Sequence, residues 1–144
     1  MRAELAGMCV PLCTPMSDDG SGIDEGALVR HIDVMVEAEL DMILVCGGTG
    51  EFPFLTAEEK TRIARVAVRH LDGRKQLVVQ TSAIRTEDAV AFSKEAEALG
   101  ADAVLVLPPY FEGPGPEGVL YHYARVAESV SIPVMAYNIP AFSG

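Results

Sequence analysis

Residues 42–51 read Met-Ile-Leu-Val-Cys-Gly-Gly-Thr-Gly-Glu, a short run of apolar side chains that ends in a glycine-rich turn. Uninterrupted hydrophobicity over a few residues is typical of a parallel strand that is buried on both faces. Four further runs of the same kind occupy residues 8–12, 77–80, 103–107 and 134–137. The sequence therefore predicts a sheet of parallel strands.

The segments between these runs carry apolar residues at helical spacing. The expected stripes are Leu28, Ile32, Met35 and Val36; Ile63, Val66 and Ala67; Ala89, Phe92, Ala96 and Leu99; and Leu120, Tyr123, Ala124 and Ala127. Helix starts are predicted at Asp24, at the capping box of residues 56–59, at Thr86 and at Pro116. Gly100 should end the third helix. Strands and helices therefore alternate along the chain.

Two architectures are built from such alternation, a doubly wound open sheet and a (β/α)₈ barrel. An open sheet would cover its fifth strand with a helix, whereas residues 138–144 follow that strand directly and contain no helical pattern. A barrel needs roughly 250 residues. The end of the chain therefore looks cut, and the residues alone leave both architectures open. A barrel would make residues 1–144 one partial TIM-barrel domain, with strands one to five and four helices, and its remaining strands would lie beyond them.

Composition excludes several functions. With 11 basic and 21 acidic side chains the net charge is −10, which disfavours nucleic acids and anionic membranes as partners. No apolar run is long enough to span a bilayer, and no secretion signal opens the chain. Three cysteines without CxxC spacing predict reduced thiols and a cytoplasmic location. No residue spacing suggests a metal, and no cofactor is expected.

Function should lie in the loops after the strands, because the carboxyl ends of parallel strands form the ligand-binding edge in both architectures. The glycines and threonine of residues 47–51 suit a carboxylate or a phosphate, although a tight turn that binds nothing explains them as well. Tyr137 is a candidate proton shuttle or a packing residue. Tyr110 and Phe111 are interpreted as packing or interface aromatics.

The same loops resemble those of the dihydrodipicolinate synthase/N-acetylneuraminate lyase family. The motifs are G-x-T-G-E at residues 47–51 and Y-N-x-P at 137–140, together with Pro-Leu-Cys-Thr-Pro at 11–15 and Leu-Pro-Pro-Tyr at 107–110. The resemblance implies a (β/α)₈ barrel, a homotetramer, and a 2-keto acid such as pyruvate as substrate. It also implies catalysis without a metal, through a Schiff base between the keto carbon and a lysine.

Carried over by position, the resemblance makes Tyr137 the proton relay. Thr49 and the backbone N–H groups of Gly47, Gly48 and Gly50 would hold the substrate carboxylate. The family's lysine is expected one βα unit beyond Tyr137, past the last residue of the sequence. The hypothesis is a cytoplasmic class I lyase, or aldolase, of this family.

Three positions depart from the family's synthases. Gly48 replaces a hydroxyl residue, Phe111 replaces a tyrosine contributed across the subunit interface, and Phe142 replaces an arginine. Residues 137–144 look more like N-acetylneuraminate lyases and keto-deoxy sugar-acid aldolases. Residues 47–52 look more like 5-dehydro-4-deoxyglucarate dehydratases. A dehydratase of that type is therefore an alternative, as is a non-catalytic doubly wound anion-binding domain or an inactive half-barrel.

Overall fold

The computed structural model describes residues 4–111 and 113–140. Within them the chain forms five parallel strands, four α-helices and one short 3₁₀ helix. The strands are β1 (Cys9–Pro11), β2 (Met42–Val45), β3 (Gln76–Gln80), β4 (Ala103–Val106) and β5 (Val134–Ala136). The helices are α1 (Glu25–Glu37), α2 (Ala57–Leu71), α3 (Thr86–Leu99) and α4 (Pro116–Ser129), and the 3₁₀ helix is Phe52–Phe54. The strand ranges predicted from sequence are confirmed to within one residue at each end.

The strands lie side by side in the order of the sequence, β1-β2-β3-β4-β5, and every neighbouring pair is parallel. Consecutive helices also pack on one another, α1 on α2, α2 on α3 and α3 on α4. A doubly wound sheet reverses its strand order in the middle. An unreversed order with a single series of neighbouring helices is the arrangement of a (β/α)₈ barrel. The described part of the chain therefore forms an arc of such a barrel.

Local sequence signals fix most helix ends. Asp24 caps α1 by accepting a hydrogen bond from the Ala27 N–H (2.9 Å). Thr56 and Glu59 form a reciprocal capping box at the start of α2, and Gly100 ends α3 in the left-handed conformation (φ 106°). The predicted start of α3 at Thr86 is confirmed, since Thr86 is the first helical residue. Its hydroxyl lies 3.0 Å from Nδ1 of His122.

The sheet has an apolar cluster on each face. The larger one lies under the helices and includes Leu77 and Val79 of β3. The smaller one lies on the opposite face, toward the barrel interior, and consists of Met42, Val78, Ala103 and Leu105 with four partly buried neighbours. Since adjacent side chains of a strand point to opposite faces, the odd-numbered residues of β3 face the helices and the even-numbered ones face the interior.

The stripe predicted for α4 is wrong at Leu120 and Ala127, although Tyr123 packs against the core as predicted. Leu120 is 70% exposed and Ala127 is exposed too, whereas His122 and Val126 are fully buried. The imidazole of His122 takes the place of an apolar side chain against α3 because its hydrogen-bond contact with Thr86 satisfies one ring nitrogen. An apolar pattern could not reveal a buried histidine. Within the described ranges, no helix is long and apolar enough to cross a membrane.

Candidate active site at the carboxyl ends of the strands

The loop after β2 is held in an unusual backbone conformation. Cys46 (φ 56°) precedes the glycines and Glu51 (φ 60°) follows them, and both are non-glycine residues in the left-handed region. The turn is closed by hydrogen bonds from the Glu51 N–H to the Gly48 oxygen (3.0 Å) and from the Phe52 N–H to the Gly47 oxygen (3.2 Å). Such conformations cost about 1–3 kcal/mol each and concentrate at functional sites. The loop is therefore shaped by more than local preference.

Gly50 anchors this loop to the end of β1. The hydroxyl of Thr14 donates a 2.8 Å hydrogen bond to the Gly50 carbonyl oxygen. A Cβ atom at position 50 would lie 3.0 Å from the Leu12 carbonyl oxygen, 3.2 Å from the Thr14 hydroxyl and 3.4 Å from the Cys46 nitrogen, so a side chain there would crowd its neighbours. A Cβ atom at position 48, in contrast, would meet nothing within 4 Å, and Gly48 is exposed, as is Thr49. The loop thus presents residues 48 and 49 outward at the rim, which is the edge of the sheet where the carboxyl ends of the strands lie.

A buried amide lies directly under the loop. Gln80 ends β3 on its interior-facing side and is 2% exposed. A Cβ atom on Gly47 would lie 3.6 Å from Gln80 Oε1 and 3.1 Å from the Leu44 side chain. Both amide atoms of Gln80 have no hydrogen-bond partner among the described residues. Sequence reasoning overlooked this residue, although a polar side chain closing an apolar run was a usable signal.

Tyr137 follows β5 at the same rim. Its N–H donates to the Val106 oxygen (2.8 Å), and its carbonyl oxygen accepts from the Tyr123 hydroxyl (3.4 Å), which also donates to the Val106 oxygen (3.1 Å). The backbone of Tyr137 is therefore fixed while its side chain remains 37% exposed. This exposure agrees with a phenol that can meet a ligand at the rim.

The aromatic residues after β4 have different surroundings. Tyr110 packs edge-on against Phe52, with ring centroids 5.9 Å apart, and the two line a cavity of about 370 Å³ that also borders Gly48. Burial raises the pKa of Tyr110, so its hydroxyl stays protonated. Phe111 is 67% exposed. The third predicted pocket or interface residue, Phe142, lies outside the described residues.

None of the three lysines of the sequence lies at the carboxyl end of a strand. Nζ of Lys60, on α2, sits 5.7 Å from the ring centre of Phe52 and 5.2 Å from that of Phe92. Burial lowers the pKa of Lys60. Lys75 precedes β3 and donates to backbone oxygens of the loop before β2, and Lys94 is on α3. None of the three lysines therefore belongs to the loops that follow the strands.

The histidines lie on helices, and the cysteines lie in or directly after the first two strands. Within residues 4–111 and 113–140, no three His, Cys, Asp or Glu side chains are grouped so that they could hold a metal ion. His70 on α2 pairs with Asp33 on α1 at 2.7 Å. Cys46 is buried, which raises the pKa of its thiol to about 12, whereas Cys13 is exposed. Of the two cysteines that follow β1 and β2, Cys46 is therefore a buried side chain and Cys13 is not.

The fold and the loops at the rim together define the class of protein scaffold to which the chain belongs. A parallel sheet in sequence order, covered by consecutive helices and carrying its polar loops at the carboxyl edge, is the first part of a (β/α)₈-barrel enzyme scaffold. The model of the dihydrodipicolinate synthetase family matches residues 4–144. The chain therefore belongs to the dihydrodipicolinate synthetase family.

Individual relatives agree with that assignment. The 4-hydroxy-tetrahydrodipicolinate synthase of Chlorobium phaeobacteroides (strain BS1) is 41% identical over 144 residues, which are 99% of this chain and 48% of that protein. Dihydrodipicolinate synthase from Aquifex aeolicus superposes with a TM-score of 0.93 at 37% identity, over 96% of this chain and 47% of that one. The chain spans about half the length of the relatives it matches.

One solved neighbour was crystallised with a ligand. A prophage protein of the dihydrodipicolinic acid synthase family from E. coli K12, in complex with pyruvate, superposes with a TM-score of 0.94 at 33% identity. The match covers 99% of this chain and 47% of that protein. The likeness therefore extends to a family member whose structure contains a 2-keto acid.

Proposed function

We propose that the protein is a 2-keto-acid-dependent lyase, or aldolase, that works through a lysine Schiff base with pyruvate or a related acid. The observation that carries the proposal is the placement of the loop of residues 47–50 and of Tyr137 at one rim of the family's barrel. The pyruvate complex of a family member supports the same substrate class.

The loop after β2 would bind the substrate carboxylate. Thr49 offers a hydroxyl and is exposed, and the flanking glycines allow an anion to approach the backbone N–H groups closely. The hydrogen bond from Thr14 to Gly50 holds the loop at a fixed height above the sheet. A preformed anion site of this kind positions the keto carbon without reorganisation when the substrate binds.

Tyr137 would move the protons. The lysine amine attacks the keto carbon, C2, and water leaves, which yields a protonated imine. When the C3–C4 bond breaks, its electron pair becomes the C2–C3 double bond of an enamine, and C4 leaves as an aldehyde carbonyl. A phenol at the rim can donate a proton to the departing water and remove the proton of the C4 hydroxyl. In this proposal the lysine lies one βα unit beyond Tyr137, outside the 144 residues.

A dehydratase acting on a keto-deoxy sugar acid is the second candidate. The observation that favours it is the space around Gly48, which borders the cavity of about 370 Å³ and lacks the hydroxyl of the synthases. A longer substrate fits such an opening better than pyruvate alone. The doubly wound alternative is excluded by the unreversed strand order.

Borohydride trapping tests the proposal directly. The full-length protein is incubated with pyruvate and borohydride, and its intact mass is compared with that of protein treated with propionate, which has no keto group. A stable pyruvyl adduct on one lysine is expected. A second experiment incubates the protein with a keto-deoxy sugar acid and analyses the products, because carbon–carbon cleavage indicates a lyase and loss of water indicates a dehydratase. If no 2-keto acid leaves an adduct, the lyase proposal is wrong and the inactive half-barrel is favoured instead.

The assembly and the location are proposals as well. A homotetramer is proposed from the family resemblance, and the exposed Phe111 ring near the rim suits an interface position. Light scattering of the full-length protein would measure the oligomer directly. A cytoplasmic location follows from the cysteine pattern and would be checked by fractionation of cells that express the protein.

A further inference from the structure

Gln80 combines three features that no structural role in the described chain explains. It is 2% exposed, both polar atoms of its amide lack hydrogen-bond partners among the described residues, and it lies under the proposed carboxylate loop. A buried amide that loses its bonds to water without replacement costs about 1–3 kcal/mol.

The side chain is on the interior face of the sheet. Leu77 and Val79 of β3 pack under the helices, whereas Val78 belongs to the interior cluster, so the alternation places Gln80 with Val78. The proximity of its Oε1 to Gly47, which follows β2, gives the same result independently. Gln80 is thus the last interior-facing residue of β3 before the rim, where a barrel enzyme binds its substrate.

We propose that Gln80 is a specificity-determining residue whose amide binds a hydroxyl group of the substrate. This inference rests on the proposed function and deepens it by naming a hydroxylated 2-keto acid as the substrate class. A carboxylate can only accept hydrogen bonds, but the Gln80 amide offers a donor and an acceptor. A hydroxyl group, which is itself both donor and acceptor, or two adjacent hydroxyl groups use both atoms of the amide.

No hydrogen bond within the described chain holds the amide in place, so rotation about the side-chain torsions of Gln80 breaks none there. Gly47 is buried above the amide, and it adds no side chain to the covering. In this proposal the substrate hydroxyl reaches the amide from the side of the loop.

The test uses Gln80→Leu in the full-length protein, with Gln76→Leu as the matched control. Gln76 lies at the opposite end of the same strand, and its Nε2 donates to the Glu4 carbonyl oxygen (3.2 Å). Affinities for pyruvate and for 2-keto-3-deoxygluconate are measured by calorimetry, and Tm is measured without ligand. Gln80→Leu should weaken the sugar-acid affinity about tenfold or more and change the pyruvate affinity by less than about twofold.

Stability separates a ligand-binding amide from a structural one. Gln80→Leu should leave Tm unchanged or raise it, because it removes an unsatisfied buried group, whereas Gln76→Leu should not change either affinity. A Tm that falls by several degrees in Gln80→Leu, or an equal loss of affinity for both acids, would overturn the inference. Adduct trapping with wild-type protein reports separately on the proposed function, because it detects the imine itself and does not depend on a contact between Gln80 and a substrate hydroxyl.

Discussion

The Thr14 hydroxyl donates a 2.8 Å hydrogen bond to the carbonyl oxygen of Gly50, 36 residues further along the chain. This contact joins the loops after β1 and β2 and keeps the loop of residues 47–50 close to the sheet. At position 50 the backbone approaches Leu12 so closely that a Cβ atom would force neighbouring backbone to shift. The geometry of the proposed carboxylate site therefore depends on two strands, although the binding groups come from one.

Alanine at position 50 should destabilise the protein. A Cβ atom there would lie 3.0 Å from the Leu12 carbonyl oxygen, a backbone atom that cannot move away cheaply. We expect Gly50→Ala to lower the free energy of unfolding by about 1–3 kcal/mol. Gly48→Ala is the matched control, because no atom lies within 4 Å of its new methyl group. That variant should stay within about 0.5 kcal/mol of wild type in urea unfolding. Equal losses in both variants would contradict the packing argument.

Removal of the Tyr137 hydroxyl should affect catalysis and not stability. The backbone of Tyr137 is fixed by hydrogen bonds that phenylalanine retains, and its side chain is 37% exposed. We expect Tyr137→Phe to lower kcat about a hundredfold or more, the range typical of a lost proton-transfer group, with little change in Tm.

Tyr123→Phe serves as the control for that variant. Its hydroxyl donates to the Val106 oxygen (3.1 Å), so its loss should cost about 1 kcal/mol of stability. Its effect on kcat should be much smaller than that of Tyr137→Phe. Comparable kcat values for Tyr137→Phe and wild type would remove Tyr137 from the mechanism.

Acid should destabilise the fold through His122. Burial lowers the pKa of this histidine, so it stays neutral in the folded state while the unfolded chain protonates it near its ordinary pKa of 6.5. The unfolded state then binds more protons, and the free energy of unfolding falls as the pH drops below about 6.5. Urea unfolding between pH 7.5 and about 5 measures this slope.

His122→Gln should flatten that slope whatever its effect on stability at pH 7.5. An unaltered slope in His122→Gln would assign the pH dependence to other groups.

The cysteines should differ sharply in reactivity. Cys13 is exposed, whereas burial raises the pKa of Cys46 to about 12 and also raises that of the half-buried Cys9. Because only the thiolate reacts, iodoacetamide should modify Cys13 first under native conditions and leave Cys46 intact. Peptide mapping after timed labelling, with denatured protein as the control, checks the order. Early labelling of Cys46 would mean that the sheet–helix interface opens readily.

The strands were predictable because parallel strands buried on both faces need an apolar side chain at every position, and residues 42–46 and 103–107 satisfy that rule. The capping box at Thr56 was equally readable, since its two side chains act locally. The position of the candidate site at the rim was predictable from the shared direction of the strands, because parallel strands bring all the loops that follow them to one edge of the sheet. The roles of Thr49 and Tyr137 came from family resemblance and stay predictions.

By itself, then, the sequence determined where strands and helices lie and which loops share an edge, since these depend on neighbours a few residues away. Tertiary structure decided the strand order, the burial of His122 in place of Leu120, and the crowding at Gly50. It also placed the Gln80 amide under the loop of the neighbouring strand. Each of these depends on contacts between segments distant in sequence, which the period of an apolar pattern does not encode.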